Sequence, residues 1–232
     1  VKKPHLWTPE DPYLYMLESQ CLLNGKTVDR IKTPVGIRTA EFDADKGFLL
    51  NGRQVKIRGV CLHHDCGITG AAGTREIWER RLLMLKDMGC NGIRMSHNPP
   101  APAILDLCDE LGFLVMDEIY DEWMLAKNKN ENYYSESMAF GASQFFMRDS
   151  RKELTTMIRR DYNHPSVILW SIGNEIPEQS SADGSKIASR LQQICHEEDT
   201  TRMVTCACDN IMAYPDIRTK REFEEVLDVV GY

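Results

Sequence analysis

The chain has 232 residues, 42% hydrophobic and 27% charged, with a formal net charge of −7. That balance reads as soluble and globular, long enough for one large domain or one domain plus part of another. With no basic stripe to neutralise phosphates it argues against a nucleic-acid partner, and no apolar run approaches the roughly 20 residues of a membrane span. The first residues, VKKPHLW, lack the apolar core of a signal peptide and read like the middle of something longer. None of the eight cysteines has CxxC spacing. Cys90, Cys108 and Cys195 fall in or beside apolar patterns, so buried thiols are expected rather than disulfides or zinc ligands.

Residues 1–40 are β in character. Leu14, Met16 and Glu18 alternate with Tyr15 and Leu17, Asn24-Gly25 is a hairpin turn signal, and a second strand is expected over residues 27–32. One hairpin cannot bury two faces, so residues 1–40 are expected to be the end of an immunoglobulin-like β-sandwich. From residue 41 the pattern changes. A second hairpin turns on Asn51-Gly52 and leads into a strand, RGVCLHH, that ends at His63, His64 and Asp65.

After a Gly-rich loop, Thr74 marks the start of a helix with Trp78, Leu82 and Leu85 on one face and Gly89 at its close. The alternation then repeats. GIRMS ends at His97-Asn98, a helix carries Ile104, Cys108 and Leu111 inward to Gly112, and FLVM ends at Asp117-Glu118. A polar insert over residues 121–141 contains Trp123, Tyr133 and Tyr134, and a long loop at a strand end is more often functional than idle. A helix over residues 144–160 precedes the apolar run VILWS, a buried strand that His164-Pro165 introduces and that ends at Asn174-Glu175. Ser185 is expected to cap the next helix, MVTCAC is a fifth strand ending at Asp209-Asn210, and residues 226–232 begin a sixth.

Short strands alternating with helices of 10–15 residues mean parallel βαβ units. A doubly wound sheet gathers ligands at one switch point, whereas here successive strand ends are all polar or titratable. Residues 41–232 are therefore expected to form the N-terminal part of a (β/α)8 TIM barrel, with strands one to five and the start of the sixth.

Glu175 is the strongest chemical candidate: a carboxylate after a carboxamide at the end of a buried strand, able to give and take a proton. Trp170 is expected to wall it apolarly and raise its pKa, and Asn174 to donate to a sugar hydroxyl. His63 and His97 stand on adjacent strands and are read as substrate hydrogen-bonding groups. A metal site with His64, Asp65 or Asp117 is the alternative, without zinc-type spacing. Asp117-Glu118 is either a second catalytic carboxylate or a buried Asp bracing the barrel through Arg94 or backbone N–H groups, and the second is preferred. Trp123 either stacks on a sugar ring or packs the loop.

NGIRMSHNPPAPAILDLCDELGFLVMDE and DYNHPSVILWSIGNE resemble two signatures of glycoside hydrolase family 2, the β-galactosidase, β-glucuronidase and β-mannosidase family. LWTPEDPYLY and GFLLNGRQVKIRGVCLHHD resemble its passage from sandwich to barrel. The resemblance implies a retaining exo-β-glycosidase with Glu175 as general acid/base and a carbohydrate substrate. Asn174, His63 and His97 match substrate-contacting positions, and Trp123 matches such a position more weakly. HHD and SHNPP look closest to β-galactosidase-like members of gut bacteria, and Leu62 stands where an Arg is usual. The family's nucleophile is a Glu on a seventh strand, expected beyond residue 232, which would leave these residues inactive alone. Some β-galactosidases of the family use Mg²⁺, and a homo-oligomeric parent enzyme is in keeping with it. The other readings are a β-glucuronidase and a non-catalytic, carbohydrate-binding barrel remnant.

Overall fold

The computed structural model describes residues 1–127, 142–209 and 218–231. Tyr133 and Tyr134 of the insert, Asn210 after the fifth strand and Tyr232 in the sixth lie outside them. Strands β1 (Tyr15–Leu23) and β2 (Lys26–Val35) pair antiparallel. Asn24 and Gly25 take φ of 50° and 75°, the left-handed values of a two-residue turn whose twist matches its strands. Leu17, Leu22, Leu23, Val28 and Ile31 all stay exposed on this hairpin, which has no core of its own.

A second antiparallel sheet is built from β3 (Ala40–Asp43), β4 (Gly47–Leu50) and β5 (Arg53–Gln54). Its turn again has left-handed Asn51 and Gly52, at φ 52° and 72°. Phe48 and Leu50 pack with Trp7, Leu114 and Ile168 in a small separate core. The passage between the two sheets is pinned to the larger body. Arg38 donates to the carbonyls of Pro165 and Val167 at 3.0 and 2.5 Å. A Cβ on Gly36 would lie 2.5 Å from Pro165 Cγ, so only glycine permits this approach.

Six parallel strands follow: β6 (Gly59–His63), β7 (Gly92–Ser96), β8 (Leu114–Glu118), β9 (Val167–Asn174), β10 (Met203–Ala207) and β11 (Val229–Gly231). They lie side by side in chain order with no reversal. Helices α1 (Arg75–Asp87), α2 (Pro102–Leu111), α3 (Ser143–Asp161), α4 (Gly184–Glu198) and α5 (Arg221–Glu224) make the crossovers. Strand order without a switch point is that of an incomplete (β/α)8 barrel. Trp78, Leu82, Ile104, Cys108, Leu191 and Ile194 face inward from the helices, as their spacing demands.

Gly89 and Gly112, at φ 88° and 76°, follow the ends of α1 and α2. The starts of α4 and β11 differ from expectation. Helix α4 starts at Gly184 with Asp183 in the cap position, not at Ser185. Strand β11 starts at Val229 because α5 and its closing turn occupy the residues before it. Among the described residues no cysteine is paired, and Cys66, Cys108, Cys195, Cys206 and Cys208 are buried. Among the described residues no helix is long and apolar enough to cross a membrane.

Alternation along β8 sends Glu118 into the barrel and Asp117 outward against the end of α3. Asp117 is fully buried, and neither of its oxygens meets an N–H or hydroxyl donor. Its neighbour is the carboxyl of Asp161, which Arg160 holds at 2.6 and 2.7 Å. Two carboxylates side by side in a buried place repel, which favours keeping a proton on one of them. Burial first, and then Asp161, push the Asp117 pKa far above the usual carboxylate range. A raised folded pKa contributes stability that is complete below the unfolded value near 3.9 and is lost as pH rises toward the folded one. Asp117→Asn keeps a donor toward Asp161 and carries no ionisable proton. It is expected to gain stability over the parent chain as pH rises from 5 to 8. Urea denaturation at both pH values checks this; parallel pH dependences would refute it.

Candidate active site

Backbone bonds hold the end of β9 from both sides. Asn174 N–H donates to Tyr120 O at 3.0 Å and Glu175 N–H to Ala207 O at 2.8 Å. Register shifts between β9 and β10 at this point, between Thr205 and Ala207. Glu175 takes φ of 47°, a left-handed value that costs a non-glycine residue roughly 1–2 kcal/mol. Its side chain is exposed, while Asn174 before it is buried. The backbone thus swings one carboxylate out of a strand that is buried along its whole length.

A linked polar cluster lies beside it. Arg94 of β7 is bidentate to Glu118 of β8, with Nη2 at 3.1 and 2.9 Å and Nε at 3.1 Å. The same Nη2 donates to Asn174 Oδ1 at 2.6 Å. Asn174 Nδ2 donates to Asp121 Oδ1 at 3.1 Å, which also receives Lys127 Nζ at 2.7 Å. His97 Nδ1 and Ser171 Oγ each meet Glu118 at 2.6 Å. His63 meets the His97 ring edge to face, with centroids 5.3 Å apart. Burial works against the Arg94 charge, and the Glu118 carboxylate more than offsets it, raising the Arg94 pKa. Burial likewise opposes the Asp121 charge, and the Lys127 and Asn174 hydrogen bonds hold its pKa down.

His63, His97 and Asn174 therefore converge at the carboxyl ends of neighbouring strands, and Glu175 follows Asn174 directly. Other expectations require correction. Trp170 does not wall Glu175: its ring is buried on the helix side of β9, with Nε1 donating to Asp199 at 2.9 Å. Trp123 is 0% exposed. It stacks on Phe146 and donates to Ile172 O at 2.8 Å, so it packs the loop and offers no face to a sugar here. The carboxylate that Arg94 braces is Glu118, not Asp117. His64 meets Ala71 O and the Trp78 ring, and Asp65 accepts from Gly67 N–H. Among the described residues no three His, Cys, Asp or Glu side chains are disposed to hold a metal.

Residues 43–229 match the family model described as glycosyl hydrolases family 2, TIM barrel domain, and residues 1–38 match glycosyl hydrolases family 2. The beta-galactosidase BoGH2A of Bacteroides ovatus is 43% identical across 100% of this chain and 29% of its own length. A beta-glucuronidase of Bacteroides fragilis is 32% identical over 89% of this chain and 29% of its own. The crystal structure of a glycosyl hydrolase family 2 member from Bacteroides cellulosilyticus superposes with a TM-score of 0.86 at 39% identity. That match covers 99% of this chain and 28% of the other. The chain thus spans under a third of the length of these relatives.

Proposed function

The chain belongs to glycosyl hydrolase family 2, and from that premise we propose that it supplies the acid/base side of a retaining β-glycosidase acting on terminal β-galactosides. The observation that carries this reading is Glu175, exposed at the end of β9 beside a hydrogen-bonded Asn174. In the first step the Glu175 carboxylic acid protonates the glycosidic oxygen as the aglycone leaves. In the second its carboxylate takes a proton from the water that releases the sugar. Asn174 Nδ2 and the free ring nitrogens of His63 and His97 are the groups offered to sugar hydroxyls. A retaining reaction also needs a carboxylate nucleophile roughly 5 Å from the acid, and we assign it to a Glu outside these 232 residues.

Galactosides are put before glucuronides because the beta-galactosidase relative from Bacteroides ovatus is 43% identical to this chain and the beta-glucuronidase relative from Bacteroides fragilis 32%. The test is hydrolysis of aryl β-galactoside and aryl β-glucuronide by the full-length polypeptide and by these residues alone. Turnover of the galactoside by the full polypeptide only is the expected result. Preferred turnover of the glucuronide would overturn the substrate assignment, sugar binding without turnover would favour the non-catalytic barrel, and turnover by these residues alone would place the nucleophile within them.

A further inference from the structure

Glu118 is 0% exposed and accepts hydrogen bonds from three directions: from Arg94 on β7, from Ser171 on β9, and from His97 just past β7. We propose that Glu118 is a positioning residue that orients Asn174 and His97 together and acts on substrate only through them. The proposal rests on the glycosidase reading above.

The chemistry of the partners dictates how this works. A carboxylate only accepts, so the His97 proton toward Glu118 sits on Nδ1 and the other ring nitrogen is the one presented outward. Arg94 only donates. Held bidentate by Glu118, it turns Nη2 toward Asn174 and selects the amide orientation with Oδ1 against the guanidinium. The reversed amide would set NH₂ against NH₂. Asn174 Nδ2 is thereby committed to the opposite side, where one proton meets Asp121 and the second is left for a sugar hydroxyl. One buried carboxylate thus determines which atoms two separate side chains show to substrate. Glu118 itself touches nothing outside the protein.

A purely structural role, neutralising buried Arg94, predicts something different. Loss of Glu118 would then lower stability and leave the contributions of Asn174 and His97 intact. The experiment is a cycle in the full-length polypeptide, with kcat and KM measured on an aryl β-galactoside. Glu118→Gln is expected to lower kcat/KM by about 10–100-fold, since misplacement by about an ångström costs up to about 10²-fold. Most of the loss should fall on kcat. In a background that already carries Asn174→Ala and His97→Ala, the same substitution is expected to cost less than about 3-fold, because residues acting through one another are not additive.

An equal loss in both backgrounds, or a lowered Tm with unchanged kcat/KM, overturns the proposal. Where Glu118→Gln does not fold, Glu118→Asp runs the same cycle with the charge kept and the reach shortened. Failure of the unsubstituted polypeptide to turn over any β-glycoside would refute the glycosidase reading and this proposal with it. Turnover with an additive cycle would refute the positioning role alone.

Discussion

Glu175→Gln in the full-length polypeptide is expected to lower kcat/KM for β-galactosides by about 10²–10⁴-fold when the leaving group is an alcohol or a second sugar. The loss is much smaller for a dinitrophenyl galactoside. A sugar alkoxide is too basic to depart without a proton, which in the proposed mechanism Glu175 supplies in the bond-breaking step. Dinitrophenolate leaves unaided, and only the later deprotonation of water then suffers, which lowers kcat more than kcat/KM. A steady-state series across leaving groups reads this directly. Equal losses for all of them would remove Glu175 from the acid/base role and leave it a binding or structural group. The backbone adds an independent expectation. At φ of 47° glycine is unstrained where glutamate is not, so Glu175→Gly should abolish acid catalysis while raising the stability of the chain by roughly 1 kcal/mol.

What could be read beforehand follows from which interactions are local. The alternation of short strands and amphipathic helices, both Asn-Gly turns, and the helix-closing Gly89 and Gly112 depend on neighbours within a few residues, and they stand in the structure as expected. Glu175 and Asn174 were legible because a polar pair ends an apolar run. The Glu118 cluster was not. Ser171 lies 53 residues from Glu118 and Asn174 lies 80 from Arg94, and nothing in the sequence announces such pairings. The two-residue period of a strand carries part of it. If Leu114, Met116 and Glu118 share a face of β8, then Asp117 points the other way, and the barrel-facing Ser171 sends Trp170 outward. Trp123 is a harder case, since a single aromatic in a polar stretch carries no period and only its contacts with Phe146 and Phe223 put it in the core.

Asp199→Ala is expected to cost the chain about 3–5 kcal/mol at pH 7, as loss of one partner from a buried ion pair does. The Asp199 side chain is 0% exposed and that of Arg202 5%, and they meet at 2.7 Å. Asp199 also accepts from Trp170 Nε1 and from the backbone and hydroxyl of Thr201. Arg202 lies over the Trp170 and Tyr162 rings and donates to the carbonyls of Tyr162, His164 and Val167. The pair therefore ties the turn after α4 to the start of the strand that carries Glu175. Removing the carboxylate strands a buried guanidinium, so Arg202→Met added to Asp199→Ala should recover part of the loss. The pH dependence has a definite sign. Burial works against the Asp199 charge, but Thr201 and Arg202 outweigh it and hold the carboxyl below its usual range. A depressed folded pKa gives stability that is present above the unfolded value near 3.9 and is lost as pH falls through the folded one. Urea denaturation at pH 7 and at pH 3 should therefore show a smaller penalty for Asp199→Ala at the lower pH. A cost under about 1 kcal/mol at pH 7, or one that does not shrink in acid, would mean that the carbonyl contacts of Arg202 hold this junction without its carboxylate.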